Sequence, residues 1–128
     1  MKSEILRPEN IGSVPGPDDI LRTELSNGIV VLARSNFNSP SVMISGYLPA
    51  GGIFDPDPLL GLADFTASAL MRGTESRSFR EIYDALESAG ASLGIGAATN
   101  TASFQGRALS EDLDLLLDLL SDVFFHPA

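Results

Sequence analysis

Apolar and polar positions along this chain change their period several times, and each change marks a predicted element. Two short apolar runs, 21–25 and 29–33, flank Asn27-Gly28. An Asn-Gly pair supplies the positive φ angles of a tight turn, so this pattern predicts a β-hairpin. A third apolar run, 42–48, predicts a largely buried strand. Residues 1–20 are rich in proline and glycine, which favours an extended lead-in to the fold.

Two segments with helical spacing follow the third strand. Apolar residues between Asp57 and Gly73 recur every three or four positions and leave little polar surface. We therefore expect a mostly buried helix that Asp57 caps and that stops at Gly73. A second helix begins at Ser78, which together with Glu81 has the spacing of a capping box. It ends at Gly90, because glycine is typical of helix C-termini.

The last third of the chain predicts a pair of strands and a helix. Residues 91–108 are small and tolerate β structure, and Asn100 near their middle indicates a turn between two strands. A final helix opens at Ser110 with acidic residues in its first turn, where the helix dipole favours negative charge. Helical spacing makes four leucines its expected buried side: Leu113, Leu116, Leu117 and Leu120.

The order of these elements predicts the fold class. Strands, two helices, two strands and a helix are typical of an α+β fold with helices packed on one face of a mostly antiparallel sheet. The chain stops just after Phe124 and Phe125, two aromatic residues that need a partner surface. We therefore expect residues 21–128 to be the N-terminal part of a domain that continues beyond residue 128.

Composition then removes several classes of function. One histidine and no cysteine exclude a closed structural zinc module. The net charge of −9 disfavours nucleic acid and an anionic membrane as partners. Residues 1–10 carry charges where a secretory signal needs an apolar run, and no stretch of about 18 residues is continuously apolar. We expect a cytoplasmic protein, with the alternative that a longer precursor has lost its leader.

Residues 61–74 read Gly-Leu-Ala-Asp-Phe-Thr-Ala-Ser-Ala-Leu-Met-Arg-Gly-Thr. They closely resemble the helix that carries the zinc motif in the pitrilysin/insulinase metallopeptidases, the family that includes mitochondrial processing peptidase. Residues 25–31 resemble the opening hairpin of that family and 50–52 the turn before its helix, while 78–86 and 109–113 follow it downstream in order. The resemblance implies the α+β fold of a metallopeptidase half-domain of the processing-peptidase type.

The catalytic positions of that motif are replaced in this chain. In the family the helix reads His-x-x-Glu-His, in which two histidines hold zinc and the glutamate activates a water molecule. The corresponding positions here are Asp64, Ala67 and Ser68. Alanine cannot act as a general base, and a neutral serine hydroxyl is a poor zinc ligand. The resemblance therefore implies a non-catalytic chain without a zinc cofactor of its own.

Such proteins commonly work in pairs, one chain with the zinc motif and one without, which enclose an unfolded peptide. The resemblance thus implies a homologous zinc-bearing chain as partner, or self-association, with zinc expected only in the catalytic partner. Two alternatives remain open. The chain could be a structural or assembly subunit with no peptide substrate, like the non-peptidase relatives in respiratory complexes. It could also be a divergent metalloendopeptidase that uses Asp64 with residues beyond 128.

The resemblance also indicates where a peptide would bind. In active family members the strand after the second helix lends its edge to the substrate by β-augmentation, and the matching positions here are Gly94, Ile95, Gly96 and Ala97. Glycine in a strand more often marks a bulge or close packing, so the residues alone favour a structural role for this strand.

Asp64 is unusual because it is a carboxylate on an otherwise apolar helix. A buried and unpaired carboxylate would be strongly destabilising. We therefore expect Asp64 either to face a solvated cavity or to form an ion pair with a base such as Arg72 or Arg107.

Overall fold

The computed structural model describes residues 16–128, which form two compact units divided between Pro40 and Ser41. The predicted lead-in, residues 1–20, falls mostly outside the described residues. Within residues 16–128, no helix is long and apolar enough to cross a membrane.

The described part of the first unit is the predicted β-hairpin. Strand β1 (Leu21–Glu24) pairs antiparallel with β2 (Val30–Ala33). The predicted hairpin is confirmed, and Gly28 in its turn has a φ of 85°, a conformation that glycine adopts without steric cost. Asn27 does not adopt the positive φ that the Asn-Gly pair predicted, and the loop comprises residues 26–28 between the bonded pair Leu25 and Ile29. Ahead of the hairpin, the buried carboxylate of Asp19 accepts a hydrogen bond from Arg34 Nε at 2.9 Å. The backbone N–H of Gly16 and the Arg34 guanidinium together lower the pKa of Asp19.

The sheet of the second unit has three antiparallel strands in the order β3-β5-β4. These are β3 (Ser41–Leu48), β4 (Ser92–Ala97) and β5 (Ala102–Leu109). The α+β prediction is confirmed, since every strand pair is antiparallel. The expectation that β3 is largely buried is wrong. Met43 and Tyr47 are exposed, whereas Val42 and Ile44 are half-buried, because alternate residues of a strand point to opposite faces.

Three α-helices accompany this sheet: α1 (Leu62–Leu70), α2 (Phe79–Ser88) and α3 (Leu113–Phe125). Short 3-10 turns precede α1, at Gly52–Phe54 and Asp57–Leu59, and α3, at Ser110–Asp112. The capping box of α2 is present in full, since the Ser78 side chain and the Glu81 side chain each accept from the other's backbone N–H. Gly90 has a φ of 59° just beyond α2, as expected for a glycine that ends a helix.

The core of this unit lies between the sheet and the helices. It is a cluster of eight buried residues: Met71, Ile82, Leu86, Leu93, Ala108, Leu116, Leu119 and Val123. On α3, Leu116 and Leu119 are fully buried and Leu117 is exposed, so the prediction for Leu117 is wrong. Leu116 packs closely against Gly106 of β5, because a Cβ atom there would lie only 3.0 Å from Leu116 Cδ1. The absence of a side chain at Gly106 therefore lets Leu116 approach the sheet.

Helix α1 is less buried than its apolar sequence predicts. Ala67 is its one buried residue, while Leu62 and Phe65 are exposed. Ala67 and the following Met71 are one turn apart, so a single narrow stripe faces the interior. The expectation of a mostly buried helix is wrong because no described element of this unit covers the rest of its apolar surface.

Candidate functional site

The start of α1 is fixed by the carboxylate of Asp55. Asp55 accepts hydrogen bonds from the backbone N–H groups of Gly61 at 2.8 Å and Ala63 at 3.0 Å. These groups belong to the first turn, where backbone donors have no partner within the helix. The predicted cap, Asp57, begins a separate 3-10 turn instead. Gly61 joins that turn to α1 with a φ of 93°. The capping residue, Asp55, therefore lies two positions before the predicted one.

Asp64, Ala67 and Ser68 all lie on α1, but they differ in exposure. Asp64 and Ser68 are exposed, whereas Ala67 has only 4% of its surface accessible. Asp64 borders a cavity of about 280 Å³. Of the two arrangements expected for this carboxylate, a solvated cavity or an ion pair, the structure has the first. The cavity is lined by Gly52, Asp55, Leu60, Gly61, Asp64, Ala97, Ala98 and Thr99.

The alternative for Asp64, an ion pair with Arg72 or Arg107, is wrong. In the part of the chain that the structure describes, no such pair is formed. The guanidinium of Arg72 lies 5.4 Å from the centre of the Phe79 ring. Arg107 lies on β5, opposite Met43 of β3 and Ser92 of β4 in the strand register. Asp64 is exposed, so solvent can stabilise its charge without a basic partner.

Strand β4 contains all four residues of the predicted peptide edge and forms one margin of the sheet. Among residues 16–128, no strand pairs with its outer side. At the turn, the N–H of Ala98 bonds to the carbonyl of Thr101 at 2.8 Å. Hydrogen-bonded and non-hydrogen-bonded pairs alternate along an antiparallel ladder. Because the N–H of Ala98 bonds toward β5, those of Gly96 and Gly94 do so too, and the N–H groups of Ile95 and Ala97 point to the free side.

The glycines of β4 have a different consequence from the one expected. No atom lies within 4 Å of a Cβ built at Gly94 or Gly96, so neither residue marks a close approach of another chain segment. They leave a strip of open backbone beside the outward N–H groups of Ile95 and Ala97. The structure thus brings one end of this strip, Ala97, and the first motif position, Asp64, to the same cavity.

A loop holds the far end of β4 in place. The N–H of Gly52 bonds to the carbonyl of Ala98 at 3.0 Å, and the N–H of Ile53 bonds to that of Thr99 at 2.8 Å. A Cβ at Gly51 would lie 2.5 Å from both carbonyl oxygens, so only glycine fits. Sequence reasoning treated this segment as a turn and missed the contact, although the Gly51-Gly52 pair was its visible signal.

The side chains at the motif positions do not fit a zinc ion. Zinc sites in proteins use histidine, cysteine and carboxylate ligands, and Asp64 is the single such side chain of the three. Within residues 16–128, no group of three or more His, Cys, Asp and Glu side chains is arranged to hold a metal ion. The buried position of Ala67 also lacks any group that could accept a proton from water.

A second polar cluster, also missed from the sequence, ties the loop between α1 and α2 to α3. One carboxylate oxygen of Asp122 accepts from Thr74 at 2.8 Å, Ser76 at 2.9 Å and Arg77 at 2.6 Å. Arg77 also donates to Asp118 at 2.6 Å. Hydrogen bonds from the Thr74 hydroxyl, the Ser76 hydroxyl and the Arg77 guanidinium hold the pKa of Asp122 below its ordinary value. The hydrogen bond to Asp122 and the charge of Asp118 raise the pKa of Arg77.

Comparison with known proteins places these features in a family. The model of the family described as Insulinase (Peptidase family M16) matches residues 30–128. A probable mitochondrial-processing peptidase subunit beta of Arabidopsis thaliana is 26% identical over 101 residues, which are 79% of this chain and 19% of that protein. Cytochrome b-c1 complex subunit 2 of Homo sapiens is 27% identical over 116 residues, 91% of this chain and 25% of that protein.

A solved structure has the same fold. The crystal structure of a peptidase M16 inactive domain from Pseudomonas fluorescens superposes with a TM-score of 0.79 at 24% identity, over 86% of this chain and 27% of that chain. The chain therefore spans between 19% and 27% of the length of these relatives.

Proposed function

The chain belongs to the insulinase family, peptidase family M16. We propose that it is part of a non-catalytic subunit, which binds unfolded peptide and pairs with a homologous zinc-bearing chain. The observation that carries the proposal is the replacement of the three motif positions by Asp64, Ala67 and Ser68 on a helix that otherwise keeps its place beside β4.

The chemistry of these positions supports a non-catalytic role. A metallopeptidase needs a general base next to its metal-bound water. Position 67 is a methyl group with 4% of its surface accessible, and Ser68 offers a neutral hydroxyl. Neither replacement can take up the proton of an attacking water at neutral pH.

The free side of β4 supports peptide binding. Outward N–H groups of a margin strand can pair with an extended peptide, which adds to the sheet as a further strand. The cavity at the end of β4 gives room for a peptide side chain beyond Ala97. Because the glycines of β4 leave open space, main-chain bonds would supply most of the affinity and the sequence preference would be weak.

Related proteins support the pairing. The relatives compared above include a processing-peptidase subunit and a subunit of the cytochrome b-c1 complex, so chains of this kind occur in assemblies. By analogy, the zinc-bearing active site would be supplied by a second chain of the same family, and this chain would form part of the surface that holds the substrate.

Peptide titration tests the proposal directly. A fluorescently labelled unfolded peptide is titrated with the protein, and its anisotropy gives the dissociation constant. Ala97→Pro removes an outward N–H without removing a bond to β5, so we expect at least about tenfold weaker binding. Ala97→Val is the matched control, since it keeps the N–H. The proposal is wrong if the protein alone contains stoichiometric zinc and cleaves the peptide.

An assembly subunit without a peptide substrate is the second candidate, and the similarity to cytochrome b-c1 complex subunit 2 favours it. In this case the protein would still pair with another chain, but the labelled peptide would not bind in the presence or absence of the partner. A divergent metalloendopeptidase remains the third. It predicts peptidase activity that Asp64→Ala abolishes.

A further inference from the structure

Three segments of the chain meet at the cavity beside β4. They are the end of the strand at 97–99, the 3-10 turn Gly52–Phe54 and its neighbour Asp55, and the start of α1 at 60–64. Within residues 16–128, the buried core cluster contains no residue of α1 itself and includes only Met71, which follows the last turn of the helix. The core therefore holds the end of α1 more firmly than its start.

Hydrogen bonds through Asp55 connect the start of α1 to the end of β4. The two backbone bonds described above tie the turn Gly52–Phe54 to the residues that follow the strand. The backbone N–H of Asp55 bonds to the carbonyl of Gly52 at 3.1 Å, so Asp55 closes this turn. Its side chain then bonds to α1 through Gly61 and Ala63. Among the described residues, no backbone hydrogen bond joins α1 directly to β4, so the path through Asp55 makes this connection.

Both carboxylate oxygens of Asp55 are used inside the protein. Oδ2 accepts the hydrogen bond from Gly61 and Oδ1 the one from Ala63, and the residue is half-buried. Asp57, two positions later, is exposed and begins a separate 3-10 turn. The two carboxylates carry the same charge, but Asp55 is the one that bonds to α1. Its oxygens are therefore occupied by backbone donors rather than turned toward a ligand.

We propose that Asp55 is a positioning residue, which couples the start of α1 to the peptide-binding end of β4. Its effect on peptide affinity rests on the proposed function, whereas the coupling itself concerns this chain alone. Asp64 follows Ala63 and Ala97 precedes Ala98, so the bonds through Asp55 set how Asp64 and Ala97 stand at their common cavity. A strand edge that is already in place loses less conformational freedom when a peptide binds. Loss of the Asp55 carboxylate therefore weakens binding without removing any contact to the peptide.

Amide hydrogen exchange of the full chain, without any peptide, tests the coupling. In Asp55→Ala, the loss of a helix cap alone would speed exchange only in the first turn of α1. Coupling predicts that the N–H groups of Gly52 and Ile53 also exchange about fivefold faster, although their own acceptors are untouched. Mass spectrometry of fragments that cover 51–54 gives these rates, and exchange in α2 is the internal reference. Asp57→Ala is the matched control and should leave the rates unchanged.

Titration of the labelled unfolded peptide tests the consequence for binding. We expect Asp55→Ala to bind the peptide about fivefold more weakly than the native protein, and Asp57→Ala to bind it equally well. Asp55→Asn keeps one oxygen acceptor without the charge, so its effects on exchange and on affinity should be smaller than those of Asp55→Ala. Asp122→Asn weakens the cluster between the 74–77 loop and α3 and should leave the peptide affinity unchanged. This variant separates positioning from a general loss of stability.

The two measurements distinguish failure of the coupling from failure of the proposed function. If the native protein binds no peptide but Gly52 and Ile53 exchange faster in Asp55→Ala, peptide binding is wrong and the coupling stands. If exchange at these two residues is unchanged, the coupling is wrong whatever the affinity. An equal loss of affinity in Asp122→Asn would assign the effect to general stability and overturn the positioning role. Equal losses in Asp55→Asn and Asp55→Ala would overturn it too, because they would mean that the peptide contacts the charge of Asp55 directly.

Discussion

The carboxylate of Asp122 accepts a hydrogen bond from the hydroxyl of Thr74 at 2.8 Å, although the two residues are 48 positions apart in the chain. The contact joins the loop after α1 to the last turns of α3. Around it, the N–H of Glu75 bonds to the carbonyl of His126 at 2.9 Å, and Thr74 forms an isolated β-bridge with Pro127. The loop that follows α1 is thus held in place by residues 122–127.

Asp122→Asn should lower the midpoint of thermal unfolding by several degrees. The amide loses the charge that attracts Arg77 and leaves the buried Thr74 with a weaker acceptor. Circular dichroism against temperature measures the change. Asp84→Asn is the matched control, because Asp84 forms an exposed pair with Arg80 at 3.5 Å and such pairs contribute little. An equal effect of the two substitutions would contradict the role assigned to Asp122.

The difference in stability between the native protein and Asp122→Asn should depend on pH. Hydrogen bonds from Thr74, Ser76 and Arg77 lower the pKa of Asp122, so the folded state binds its proton less readily than the unfolded state does. The stabilisation is therefore present above the ordinary pKa of an aspartate and is lost as the pH falls through the lowered value. Arg77 remains charged throughout, since its pKa is raised.

Thermal unfolding of both proteins between about pH 7 and pH 2 checks this dependence. Asp118 and His126 also face the cluster, the latter with Nδ1 at 3.6 Å from Asp122. A second comparison with His126→Gln isolates the contribution of the histidine. The assignment fails if the two unfolding midpoints differ by the same amount at every pH.

Gly51→Ala should be destabilising by about 1–3 kcal/mol, the usual cost of forcing an extra atom into a closely packed site. The new Cβ would lie 2.5 Å from the carbonyl oxygens of Ala98 and Thr99, and backbone atoms cannot move aside as a flexible side chain would. Urea unfolding measures the loss. Gly94→Ala is the control, because no atom lies within 4 Å of its Cβ position. Equal stability of the two variants would mean that the loop adapts.

Local sequence signals predicted the fold well. The hairpin at Asn27-Gly28 and the capping box of Ser78 and Glu81 depend on residues within four positions of one another, and both are confirmed. The failures concern contacts that are distant in sequence. Local spacing could not show that Asp55, eight residues before Ala63, caps α1, or that Gly106 leaves the space in which Leu116 packs.

In the candidate site too, local sequence predicted the positions of the residues but not the contacts between distant segments. Positions 64, 67 and 68 could be located because they keep their spacing on a helix, and β4 because it follows α2. That Asp64 and Ala97 border one cavity depends on the loop at Gly51, which pairs with a turn almost 50 residues away. The sequence also did not show that Ile95 and Ala97, rather than Gly94 and Gly96, carry the outward N–H groups, because this follows from the register with β5.

Restoring two histidines should restore part of the metal affinity. In Asp64→His with Ser68→His, the two imidazoles stand one turn apart on the exposed side of α1, as zinc requires. We expect zinc binding at least about tenfold tighter than in either single variant, measured by competition with a chromophoric chelator. Asp64→His with Ala69→His is the matched control, since a spacing of five residues turns the second imidazole away from the first. Adding Ala67→Glu should lower stability, because the position has only 4% of its surface accessible and a carboxylate there loses its hydration. If the two histidine pairs bind zinc equally, the one-turn spacing of positions 64 and 68 does not determine the zinc affinity.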